Sequence, residues 1–157
     1  MGLITDIFDR GFDVYKFLTL KSKSNIVYKR MILREIRDNI KRLELRNRKG
    51  VSLNVLISKL QNENIVNAME DNFNFNRLAG EAKLEITDQL PDRMNKYLDW
   101  DCKRLVYSID EKITSLKDIP DMFPGEEGKG INVMARLNNL YIQCILVVFL
   151  IRKAEKG

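Results

Sequence analysis

Arg30, Arg34, Arg37, Lys41, Arg42, Arg46 and Arg48 recur at helical spacing, and cations so arranged suit phosphate or carboxylate groups. With Lys29 and Lys49 they make nine cations against three acids, Glu35, Asp38 and Glu44, a net of +6 where the whole chain carries +5. The rest of the chain therefore sums to −1, and its positive field comes from one segment. Arg34–Asp38, Asp38–Arg42 and Glu44–Arg48 have the i,i+4 spacing of helical ion pairs, and six cations remain if all three form. Six phosphate contacts would cost on the order of a thousandfold in affinity between 50 and 200 mM salt. The alternative is a solvated face, answered by acids of the same bundle such as Asp6, Asp9 and Asp13.

Three further groups could carry chemistry. Tyr97, Trp100, Arg104 and Tyr107, with Lys96 and Lys103 beside them, interleave aromatics and cations in the manner of a base-stacking platform or a protein-binding hot spot. Large aromatics also serve simply as packing. Glu81, Glu85 and Asp88 stand at i, i+4 and i+7, a spacing that on a helix could hold Mg²⁺ or Mn²⁺ with a nucleotide phosphate. No matching carboxylate motif faces them, so a metal site is the weaker reading and solvated side chains the stronger. The run Gly125-Glu126-Glu127-Gly128-Lys129-Gly130 lacks P-loop spacing, and its glutamates would repel phosphate; it reads as a connection.

Histidine is absent, which removes histidine metal sites and the usual general acid–base near neutrality. Cys102 and Cys144 belong to no CxxC pattern and read as small buried hydrophobes in a reducing compartment. No catalytic residue and no cofactor are expected.

Helical periodicity dominates the elements that must position these groups. The 157 residues, 45% hydrophobic and 31% charged, suit one helical-bundle domain over residues 1–157. A first helix over about Leu3–Leu20 is apolar on most of its circumference, with Asp6, Asp9, Asp13 and Lys16 as its polar stripe. A second starts at a Ser24 or Asn25 cap and runs to about Lys49, ending at Gly50. On it Ile32, Leu33, Ile36, Ile40 and Leu43 fill an arc of about 100°, with the arginine stripe roughly 120° away and Arg42, Arg46 and Lys49 on the far side.

Ser52 caps a shorter helix, another turn forms around Ile65–Met69, and residues 72–76 are a connector anchored by Phe73 and Phe75. Leu78–Leu90 is read as helical, Pro91 opens a helix running to Lys117, and residues 118–130 form a loop. The last helix, from about Ile131 to Lys156, is apolar all round over Leu140–Ile151 and should be central.

The expected fold is thus all-α, an up-and-down bundle of four to five main helices with short helices between them. The twelve-residue apolar stretch is too short to span a bilayer, and the N-terminus reads as neither signal peptide nor myristoylation site. These observations point to a cytoplasmic protein without a transmembrane segment. The broad apolar face of the first helix favours a homodimer. Function is expected to be non-enzymatic: an interaction module presenting its basic helix to an acidic protein or another anionic partner. Nucleic-acid binding through backbone phosphates is the alternative, with a metal-dependent nucleotide hydrolase using Glu81, Glu85 and Asp88 after it.

Overall fold

The structure, a computed structural model, describes residues 27–122 and 132–156. The expected helix over Leu3–Leu20 and the glycine-rich run at 125–130 lie outside the described residues. The architecture is an all-α helical bundle. Among the described residues its helices are five: α1 (Val27–Leu43), α2 (Leu53–Lys59), α3 (Glu63–Glu70), α4 (Cys102–Met122) and α5 (Val133–Lys156). Three short 3-10 turns, Phe75–Leu78, Ile86–Asp88 and Asp92–Tyr97, join α3 to α4.

α5 is the central element, as its all-round hydrophobicity requires. Leu140 and every residue from Ile142 to Ile151 are buried, and α5 packs against both α4 and α1. By length and composition α5 could also cross a bilayer, which the twelve apolar residues alone could not; 61% of its most apolar window is buried inside this fold. α4 presents Cys102, Leu105, Ile109, Ile113 and Leu116 to the core, following the 3.6-residue period.

α1 is shorter than its charge pattern implies. The helix ends at Leu43, and the chain continues through tight turns whose amides reach back three residues: Leu45 N–H to Arg42 O (3.0 Å), Arg46 N–H to Leu43 O (3.1 Å) and Arg48 N–H to Leu45 O (3.0 Å). Gly50, at φ +89°, takes the left-handed turn that only glycine adopts at little cost. Arg46 and Arg48 therefore stand on turns and not on the helix.

The stretch 78–101 departs furthest from expectation. Leu78–Leu90 is not a helix: of its intended inner face Leu78 is buried, whereas Ile86 is 82% exposed. Leu84 is instead the buried anchor, and its backbone pairs across space with the chain ahead of α4. Leu84 N–H donates to Trp100 O (3.0 Å), and Asp99 N–H donates to Leu84 O (2.7 Å). The long helix expected from Asp92 is broken by the same pairing. Its first part is a 3-10 turn that follows Pro91, and Asp99 takes a positive φ of 70°. α4 then starts afresh under an Asp101 cap, whose Oδ1 accepts from Arg104 N–H at 2.9 Å. Its far end outruns the expected loop start, since the helix continues to Met122.

Candidate functional site

The basic face is built on the outer side of α1. Ile32, Leu33, Ile36, Ile40 and Leu43 are buried as the arc predicts. Beside this arc two polar residues are also buried, Glu35 (2% exposed) and Asn39 (0%). They are a turn apart and clamp one loop. Asn39 pairs with the backbone of Gln61, its amide donating to the carbonyl (2.6 Å) and its oxygen accepting the N–H (2.8 Å). The Glu35 carboxylate accepts from the Asn64 and Ile65 amides at 2.9 and 3.1 Å, satisfying orphan donors in the first turn of α3. Burial raises the Glu35 pKa, while the two amide hydrogen bonds and their favourable field oppose the shift.

This clamp widens the buried side of α1 and changes the role of the cations next to it. Arg42 and Arg46, expected on the far side, border the clamp and are half-buried. Arg46 is committed to the fold: its Nε donates to Asn138 Oδ1 (2.6 Å), its Nη1 to Leu43 O (2.8 Å), and its guanidinium lies 4.4 Å from the Tyr141 ring centroid. It fixes the end of α1 to α5 and is withdrawn from any phosphate contact. Arg42 lines an apolar cleft with Leu45, Val51, Val55 and Leu56, and its Nη1 is buried without a hydrogen-bond partner.

Arg37 binds Asp38, the adjacent residue, at 2.6 Å. Among the described residues none of the three expected i,i+4 ion pairs forms: Asp38 turns to Arg37, and Glu44 and Arg48 lie beyond the end of the helix. Arg30 is exposed on the same stripe. Arg34, Lys41, Arg48 and Lys49 are also exposed, and the side chains of these four enter no ion pair or hydrogen bond among the described residues. Arg34 and Lys41 are seven residues apart, two helical turns on one stripe, so they stand about 10 Å apart along the axis.

The aromatic group divides. Tyr97 is buried and meets Trp100 edge-on, with centroids 5.0 Å apart at 85°, while the Arg104 guanidinium lies 4.1 Å from the Trp100 centroid. Trp100 and Arg104 therefore stack, with Trp100 ahead of α4 and Arg104 in its first turn. Tyr107 belongs elsewhere, in an edge-on contact with Phe75 (5.6 Å) that continues to Phe73 and Tyr28. The Arg104 guanidinium thus occupies a face of the Trp100 ring, and a base stacking there would have to displace it.

The carboxylates do not share a helical face, since the helix that would align them is absent. Glu85 and Asp88 sit on either side of one ammonium, Lys153 Nζ, at 3.0 and 2.9 Å. The same ammonium donates to Lys83 O at 2.9 Å. Burial works against the charged lysine, but the hydrogen bonds to Asp88 and Glu85 prevail and hold its pKa above the usual value. Lys153 thus fills the place where a divalent cation would have to sit, and it ties α5 to the 83–88 segment instead of answering the helix dipole. Glu81 takes no part in that cluster. Among the described residues no group of three or more His, Cys, Asp or Glu side chains could hold a metal.

The clamp residues Glu35 and Asn39 were not singled out from sequence, where they stand as polar positions at the edge of the apolar arc. Cys102 and Cys144 are buried free thiols, as expected; burial raises both pKa values, that of Cys144 to about 12. No known protein family, curated protein or solved structure matches this chain.

Proposed function

We propose that this protein is a non-enzymatic interaction module that holds an acidic protein surface against the outer face of α1 and the turns that follow it. The observation that carries the proposal is the set of exposed cations Arg34, Lys41, Arg48 and Lys49, which have no acid partner among the described residues. Exposed, mobile lysine and arginine side chains steer and orient a partner more than they bind it tightly. A rigid clamp behind them, Glu35 and Asn39, keeps the face in place.

Nucleic acid is the alternative occupant of the same face. Arg104 over the Trp100 ring and the commitment of Arg46 to Asn138 and Tyr141 speak for protein, since a base would have to displace the guanidinium and one phosphate contact is taken up by the fold. The reading also puts the chain in the cytoplasm, where two buried free thiols stay reduced.

Competition decides the partner class. A labelled polyglutamate is bound to the protein, and unlabelled single-stranded oligonucleotide or polyglutamate of equal charge is added at fixed ionic strength. Polyglutamate displacing the label at lower concentration supports the acidic-protein reading. Displacement by oligonucleotide at much lower concentration would transfer the face to nucleic acid.

A further inference from the structure

A second positive site lies away from α1, in the groove between α4 and α5. Glu111, Lys112, Ser115 and Leu116 line it from α4, and Arg136 and Asn139 from α5; its volume is about 410 Å³. Lys112 is half-buried there, and its ammonium has no hydrogen-bond or ion-pair partner among the described residues. Two more cations approach from other elements. Arg136 Nη1 donates to Ser115 Oγ at 3.2 Å, and Lys96 Nζ donates to Asn139 Oδ1 at 3.2 Å. Burial lowers the Lys112 pKa, the positive charges of Lys96 and Arg136 lower it further, and Glu111 opposes them. Three cations thus face one carboxylate, Glu111, around this groove, and the excess positive charge favours a further anion.

We infer that this groove binds a phosphate monoester of a small, uncharged, hydroxylated molecule, with the phosphate between Lys112 and Arg136. The volume exceeds what a bare phosphate fills and falls within the roughly 300–1,000 Å³ of small-molecule sites. Glu111, the one acid of the lining, would repel a second anionic group but accept hydrogen bonds from hydroxyls. Ser115 and Asn139 add neutral polar contacts, and no aromatic side chain lines the groove among the described residues, so nothing there would stack on a nucleobase. The charges come from α4, α5 and the 92–97 turn, so the site exists only in the assembled fold.

The test is calorimetric titration with glucose 6-phosphate at fixed ionic strength, with inorganic phosphate and glucose as parallel arms. The expected result is saturable binding of the ester, weaker binding of inorganic phosphate and none of glucose. Lys112→Met, which keeps the aliphatic stem, should weaken the ester by roughly ten- to hundredfold. Lys112→Arg should retain it, and Arg34→Glu with Lys41→Glu should leave it unchanged, which separates this site from the α1 face. If thermal melting shows Lys112→Met to be misfolded, Arg136→Gln carries the same expectation. The inference is overturned by no saturable heat up to about 10 mM, a tenfold margin over a millimolar site. It is equally overturned by undiminished affinity in a folded Lys112→Met or Arg136→Gln, or by inorganic phosphate binding as tightly as the ester.

Discussion

Asn39, fully buried, completes both hydrogen bonds of the Gln61 backbone, so Asn39→Ala, which removes both, should cost about 1–3 kcal/mol in denaturant unfolding. Glu35 carries a pH signature. Its folded pKa lies above the ordinary 4.5, so the folded state holds the proton more tightly than the unfolded chain does. Its contribution is fully present below the ordinary value and is lost as the pH rises through the folded one. The stability of the native chain relative to Glu35→Gln should therefore fall between pH 4.5 and pH 7.5, read by chemical denaturation at both. A difference that stays flat or rises would refute this account of Glu35. In the sequence these two residues were visible only as polar positions beside an apolar arc. Lys112 and Arg136 gave no such sign, because they lie far apart in sequence and meet only when α4 packs on α5.

Among the elements, the long amphipathic ones were legible and the short ones were not. The core arc of α1, the inner face of α4 and the all-round burial of α5 follow from periodicity, because their partners are large apolar surfaces that reward any matching stripe. The Ser52 cap of α2 was legible for a local reason, its side chain accepting from Val55 N–H at 3.4 Å. The stretch 78–101 misled because Leu78, Ala82, Ile86 and Leu90 match a helical period by chance. The long-range Leu84–Trp100 and Leu84–Asp99 backbone bonds that overrule it leave no local trace. The central role of α5 has a direct test: Leu146→Ala, at a fully buried position, should cost about 2–5 kcal/mol in urea unfolding. α4 and α5 also hold the two thiols. Cys102 and Cys144 should resist an aromatic disulfide reagent at pH 8 in the native state and react promptly once the chain is unfolded.

For the whole molecule, the modest net charge of +5 conceals a division of labour. The segment with the positive excess spends part of it inside the fold, through Arg46 on Asn138 and Tyr141 and Arg37 on Asp38, and presents the remainder to solvent. A homodimer is the proposed assembly. Sedimentation at micromolar concentration should give twice the chain mass of 18.4 kDa, and a single species at 18.4 kDa would refute it. The central claim is that the exposed cations of α1 hold an acidic partner, and one measurement bears on it most directly. This is the affinity of the native chain and of Arg34→Glu with Lys41→Glu for polyglutamate, at 50 and 200 mM salt. The account expects the native affinity to fall steeply with salt, and the double variant to bind on the order of tenfold more weakly at 50 mM, with melting unchanged. Equal affinities of the two proteins at 50 mM salt would contradict it.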